Sequence, residues 1–320
     1  MGLALPALRY LAREHKAKPF GEKVLILGRQ YVFATYAEVL DLLKKEGINP
    51  QPLDSDFDIT TNIPKWKKHP INKDHTSDVA FFKLLGSKLY AMDISDYEGA
   101  DYIQDLNNPI PDELNEMFDI VIDGGTMEHL FNTKQCLENI SRMIKVGGRV
   151  IHMQVSNNYS GHGLYQFSPD LFYDFYAVNK FINLNGLYVV SPLKTLLSKI
   201  YGNPPLDSWK TYELNNNFYG KMFVSKHPAG IFFSAEKRKE STFNKIPQQG
   251  DYHKQNIINE NNEKLKTFSA KQSFKQKLKD ILKPIIMIKP FIWIVEYYYK
   301  RKKYNLLYKS PWGLKSRGKI

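Results

Sequence analysis

Two hydrophobic rhythms alternate along the chain. Lys23–Leu27 (KVLIL), Lys88–Met92, Phe118–Ile122 (FDIVI) and Val150–Val155 are short, largely β-branched apolar runs, the pattern of strands buried on both faces of a parallel sheet. Between them apolar residues recur at helical spacing. Leu8, Leu11 and Ala12 mark a helix over Pro6–Lys16, and Val32, Val39, Leu40, Leu42 and Leu43 predict one over Tyr31–Glu46, ended by Gly47. Ser77 caps a helix through Leu85, stopped by Gly86. From Lys134 the residues Cys136, Leu137, Ile140, Met143 and Ile144 define an amphipathic helix. Lys145 is expected in its last turn and Gly147-Gly148 as its left-handed stop. Strand, crossover helix and strand across Phe118–Val155 make a βαβ unit, so the pattern predicts a doubly wound α/β sheet.

The remaining signals fill in around that unit. Tyr102–Gln104 reads as a short strand ending at Asp105, and the connection Ile94–Asp101 is too short for a helix. Ser156–Gln166 is a polar loop, and Ser168-Pro169 opens a heavily aromatic helix, DLFYDFYAVNKFI. Leu187–Val190 suggests a further strand. Lys221–Val224 and Ile231–Ala235 suggest a closing hairpin around His227–Gly230. Ile48–Thr76, rich in Pro, Asp, Asn and Lys, reads as an inserted loop, either a lid or an inert surface insertion.

Three segments also carry a family resemblance. Phe118-Asp-Ile-Val-Ile, then Met127-Glu-His-Leu, then Arg142-Met-Ile-Lys-Val-Gly-Gly-Arg-Val resemble the second half of a class I S-adenosylmethionine-dependent methyltransferase. Met127 stands where that family commonly has Leu, and Val146 where it has Pro. The resemblance spans Lys23–Glu236. It implies a doubly wound, mostly parallel Rossmann-like sheet, S-adenosylmethionine as cofactor and methyl transfer as activity. One departure is sharp: the family's Gly-x-Gly-x-Gly loop is reduced here to Gly28, with Arg29 and Gln30 filling the turn. The same loss counts against a dinucleotide-binding sheet, which needs the fuller glycine fingerprint.

Ligands of doubly wound sheets sit at the carboxyl ends of the strands. Four strand ends offer polar groups: Gly28-Arg29-Gln30, Asp93, Asp105 and Asp123-Gly124-Gly125. By the resemblance, Gly28 lets the backbone approach the methionine end of the cofactor with Arg29 next to it in the turn, Asp93 accepts from both ribose hydroxyls, Asp105 meets the adenine amino group, Asp123, Gly124 and Gly125 match the loop below the sulfonium, and Glu128 and His129 lie beside the cofactor pocket. A solvated loop carboxylate and a turn-forming Asp look the same as Asp93 and Asp105 in sequence. His162 and Tyr165, after the next strand, and His129 are the candidates to face an acceptor; a histidine titrating near neutrality can take a proton from a hydroxyl or amine. His152 reads as structural, and no metal-ligand spacing is visible. Methyl transfer needs alignment more than a triad, so the lack of one is compatible with the activity.

Charge changes the picture only beyond residue 236. The chain has 320 residues and a net charge of +12. From Lys237 onward there are 21 Lys and Arg against 6 Asp and Glu, a balance of +15 that leaves −3 on the first 236 residues. A basic nucleic-acid-binding core is therefore not indicated. The expected organisation is an α/β domain over 1–236, a flexible polar linker over 237–272 and a basic, aromatic, amphipathic helical tail over 273–320. Lys283, Pro284, Lys289, Pro290 and Glu296 interrupt the apolar stretch Ile281–Tyr299, against a membrane span. Contact with an anionic membrane surface, or packing on a partner or on the chain itself, is compatible with it. A lone cysteine, Cys136, suits a reducing compartment, and the N-terminus has no signal-peptide pattern.

These readings converge on a cytoplasmic methyltransferase, resting by its tail on the inner membrane surface, with a small-molecule, glycan or lipid-linked acceptor. Surface-polysaccharide pathways enter by analogy alone. The alternative is a non-catalytic methyltransferase-like binding or scaffold module that has lost the cofactor loop. A nucleic-acid methyltransferase with a basic tail is the third reading, disfavoured by the tail's aromatic and apolar interruptions.

Overall fold

The computed structural model describes residues 2–60, 75–96, 98–192, 209–214, 223–250 and 316–319. The chain divides into two compact units. The first comprises Met1–Asn215, Lys226–Pro247 and Lys315–Ile320; the second comprises Asn216–Ser225 and Gln248–Leu314. The second contributes only residues 223–225 and 248–250 to the description, so most of the linker and tail expected from the sequence lie outside it. Among the described residues no helix is long and apolar enough to cross a membrane.

Gly2–Leu3 (β1) leads into helix α1 (Leu5–Ala17), and Lys23–Leu27 forms β2. Tyr31–Thr35 is a strand, β3, and only then does helix α2 (Tyr36–Lys45) begin, which corrects the helix expected from Tyr31. The reason is twofold. YVFAT is aromatic and β-branched, and it pairs with β1 and with β4 (His75–Ser77) in a three-stranded sheet. Thr35 then closes a capping box with Glu38, which fixes the helix start at Tyr36. Helix α3 (Asp78–Leu84), capped by Ser77, precedes β5 (Lys88–Asp93) and β6 (Tyr102–Ile103). Among the described residues no helix separates β5 from β6, in keeping with their short connection.

The central unit is β7 (Phe118–Asp123), a 3-10 turn at Met127–His129, helix α4 (Thr133–Met143) and β8 (Ile144–Asn157). Two expectations fail here. Helix α4 stops at Met143 without a glycine, because the backbone N–H groups of Glu116 and Met117 take its last carbonyls at Arg142 and Met143 (2.8 and 3.0 Å). Lys145 is therefore in the strand, where it pairs with Asp119 at 2.7 Å. Gly147-Gly148 instead forms an irregularity in β8, marked by a register shift against β7. A Cβ on Gly148 would lie 2.5 Å from the carbonyl oxygen of Asp119, so the close approach of the two strands requires glycine there.

Helix α5 (Pro169–Val178), β9 (Ile182–Val190), β10 (Lys210–Leu214), β11 (Ala229–Glu236) and β12 (Ser316–Lys319) complete the described elements. The expected hairpin of 221–224 with 231–235 is not formed. Phe223 and Val224 are not in a strand, residues 221 and 222 lie outside the description, and β11 pairs antiparallel with β8 and β9. β12, within the stretch expected to be helical, pairs antiparallel with β10.

The large sheet runs β12-β10-β9-β11-β8-β7-β2-β5-β6. Pairings from β6 through β8 are all parallel. Helices cover both faces. Val24, Ile26, Ile120, Ile122, Ile151 and Met153 point into one core with α1, α2 and α3. The alternating residues Leu25, Val121 and Val150 are equally buried on the other face, where α4 and α5 contribute Ile140, Met143, Phe172 and Tyr176. Burial of each such side chain contributes about 1.5–3 kcal/mol. The fold is thus doubly wound, α/β and mostly parallel. Chain order departs in opposite directions from β2 and β7, which puts the switch point at their carboxyl ends.

Candidate active site

Gly28 follows β2 directly, and its backbone takes a left-handed φ of +70°. Its N–H donates to Met92 O at 2.7 Å, tying the turn to the end of β5. A Cβ on Gly28 would lie 3.2 Å from Thr126 Oγ1 and 3.6 Å from Asp93 Oδ2. Asp93 therefore faces Gly28; its other oxygen accepts from the Ile94 N–H. Thr126, which the sequence did not single out, donates its hydroxyl to Leu27 O at 2.6 Å and so clips the loop after β7 to the end of β2.

Arg29 and Gln30, the residues that interrupt the glycine loop, are both buried. The Arg29 guanidinium donates to Gly99 O (2.8 Å) and Asp101 (3.3 Å), and sits 3.7 Å from Asp78. It is engaged by those groups rather than by Asp93 or Asp123. Asp78, fully buried, also accepts from the Gln30 N–H at 3.0 Å. Burial pushes its carboxyl up to about 6, against the opposing pull of Arg29 and the Gln30 N–H. The Gln30 side chain lies over Gly124, 3.3–3.5 Å from where a Cβ would stand. Gln30 thus reaches from the turn after β2 to the glycine after β7.

Asp123 is committed to the fold. One carboxylate oxygen accepts from the N–H groups of Thr126 and Met127 (3.0 and 3.2 Å), and the other lies 2.9 Å from His152 Nδ1. Asp105 is likewise engaged, accepting from Asn107 and Asn108, which hold its carboxyl below the usual range. Tyr165 donates its hydroxyl to Phe131 O at 3.0 Å. The polar atoms of all three thus already have partners within the chain.

Glu128, His129 and His162 converge although 33 residues separate the two histidines. Glu128 Oε1 is 3.8 Å from His129 Nε2 and 3.6 Å from His162 Nε2. Glu128 is completely buried, and neither carboxylate oxygen has a hydrogen-bond partner. Gln154 beside it is also buried and unpartnered; it lies close enough to favour the ionised carboxylate slightly without closing a well-formed bond. Burial first, then the charge of Asp123, pushes Glu128 up to about 8. Burial and the neighbouring His162 lower His129.

The loop bearing His162 is pinned by two N–H donations to Glu128 O, from Leu164 (2.8 Å) and Tyr165 (3.2 Å). Gly163 fits there because a Cβ would stand 2.8 Å from that same oxygen. A separate cavity of about 230 Å³, lined by residues including Arg9, Arg13 and Phe232, shares no residue with these strand ends.

No family model and no curated protein matches this chain. Among solved structures it is similar to a SAM-dependent methyltransferase from Archaeoglobus fulgidus, at 12% identity and a TM-score of 0.36, covering 73% of this chain and 94% of that one. A possible histamine N-methyltransferase from Thermotoga maritima gives 13% and 0.33, covering 73% and 90%. The 1,6-didemethyltoxoflavin-N1-methyltransferase of Burkholderia thailandensis, with bound S-adenosylhomocysteine, gives 10% and 0.36, covering 73% and 78%.

Proposed function

We propose that this chain is an S-adenosylmethionine-dependent methyltransferase acting on a small-molecule acceptor. The observation that supports the reading is the juxtaposition of a left-handed Gly28 with the Asp93 carboxylate at the switch point of a doubly wound sheet. A turn without a side chain lets a ligand approach the backbone, and an acidic group at the next strand end suits a vicinal diol. Arg29 does not oppose this, since its charge is directed into Asp78 and Asp101. The bound cofactor would supply a methyl group already activated on a sulfonium.

The chain's own work is then alignment and exclusion of water. Asp93 would hold the ribose and Gly28 would leave room for the aminoacyl end. The Thr126–Leu27 hydrogen bond keeps the two loops in register. His129 and His162, half-exposed beside the β7 loop, are the side chains that would face the acceptor. A hydroxyl on a glycan or lipid-linked molecule is the acceptor class to try first, with residues 273–320 as the segment to test on anionic vesicles.

Calorimetric titration of the full chain with S-adenosylmethionine and S-adenosylhomocysteine tests the reading. One site per chain is expected, weakened at least about tenfold in Asp93→Ala, since a hydrogen bond to a charged group contributes about 1.5–3 kcal/mol. No binding by the parent protein would leave a non-catalytic module instead.

A further inference from the structure

The arrangement of Glu128, His129 and His162 is not explained by hydrogen bonding. Both imidazole Nε2 atoms approach the same carboxylate oxygen, at 3.6 and 3.8 Å, beyond hydrogen-bond range. The carboxylate has no donor of its own, although it is completely buried. Groups in that condition require a compensating partner. Ligand atoms held about 2.0–2.2 Å from a tetrahedral cation stand about 3.4 Å apart, close to the two histidine–carboxylate spacings here. One donor atom from each of the three residues lies within 4.8 Å of the others.

We infer that Glu128, His129 and His162 form a binding site for one divalent transition-metal ion of the zinc type. Two imidazoles and a carboxylate suit that class rather than magnesium or calcium, which prefer oxygen ligands. The site is built in advance. Glu128 and His129 sit on the 3-10 turn after β7, and two backbone hydrogen bonds to Glu128 O dock the His162 loop upon them. Gly163 permits that docking. The histidine side chains are 46% and 39% exposed, so the metal's remaining position faces solvent, as in sites that bind a further ligand. On the methyl-transfer reading, and resting on it, that position receives the acceptor's oxygen. Coordination lowers the hydroxyl's pKa so that its proton passes to solvent.

The test is metal binding by the untagged full chain, stripped with chelator and titrated with Co²⁺, followed by visible d–d absorption and by Zn²⁺ competition. One Co²⁺ per chain is expected, displaced by Zn²⁺. Affinity should fall more than about tenfold in His162→Ala and in His129→Ala, both exposed and tolerable to the fold. Gly163→Ala keeps all three ligands but displaces the loop, and should weaken binding likewise. Should Glu128→Gln fail to fold, the histidine variants still decide. An absence of Co²⁺ absorption in the parent overturns the inference, as does affinity unchanged by His162→Ala. Cofactor titrations are read separately: cofactor binding without metal removes this site alone, and metal binding without cofactor removes only the acceptor role.

Discussion

His152 bridges Asp123 and Tyr176 inside the second core, its Nδ1 2.9 Å from one Asp123 oxygen and its Nε2 2.7 Å from the Tyr176 hydroxyl. All three are completely buried. The chain thereby couples the loop after β7 to helix α5, and the His152 ring packs on Phe172 at 4.7 Å between centroids. Tyr176→Phe removes one end of the bridge and leaves an imidazole nitrogen without a partner. Urea unfolding should show a loss of about 1–3 kcal/mol. A neutral result would mean that the imidazole is satisfied otherwise.

Gly28→Ala addresses the turn without touching a charged group. An L-residue at φ +70° costs about 1–2 kcal/mol, and the new methyl would crowd Thr126 Oγ1 at 3.2 Å. Thermal melts should register that cost, and titration should show S-adenosylmethionine binding weakened about tenfold or more. Unchanged affinity would detach this turn from the cofactor.

Asp78 makes stability fall with rising pH. Its folded-state value of about 6 lies above the ordinary 3.8, so its stabilising contribution is complete below about pH 4 and is lost as pH rises through 6. The difference of about two units corresponds to about 3 kcal/mol. Glu46, held down by Arg13 and Arg9 against its burial, and Asp119, held down by Lys145 and the Lys23 N–H, act oppositely and lose their contribution on acidification. Urea midpoints between pH 4 and 7 should therefore fall more steeply in the parent than in Asp78→Asn. The variant should also be less stable throughout, because Arg29 loses its buried counter-charge and keeps only Asp101 as an ion partner. Identical slopes would show that Asp78 titrates normally.

Thr35→Ala tests where α2 begins. Losing the capping box should cost about 1 kcal/mol without altering cofactor or metal binding. An effect near zero would place the helix start elsewhere.

The sequence was most legible where local pattern and tertiary role coincide. β2, β5, β7, α4 and α5 were visible because a strand buried on both faces and a helix buried on one each impose their own period. Tyr31–Thr35 was not, because its apolar residues also satisfy helical spacing and its pairing partners are residues 2–3 and 75–77. Gly147-Gly148 looked like a helix stop because a left-handed glycine serves a bulge equally well. β12 exists through a pairing with β10 more than a hundred residues away in sequence.

The candidate site divides the same way. Gly28 and Asp93 could be named from strand-end position alone, since the ends of parallel strands must lie together. What became of Arg29, Asp105, Asp123 and Tyr165 depended on partners distant in sequence, which only the packed chain supplies. His129 and His162 were each visible as single residues. Their meeting over Glu128 was decided by the fold, because the loop after β8 returns to the turn after β7 through backbone hydrogen bonds that carry no side-chain signature. The sequence alone determined the alternation of strands and helices, which is set by local hydrophobic period. Which polar groups come together was decided by strand order and loop docking, which arise from contacts far apart along the chain.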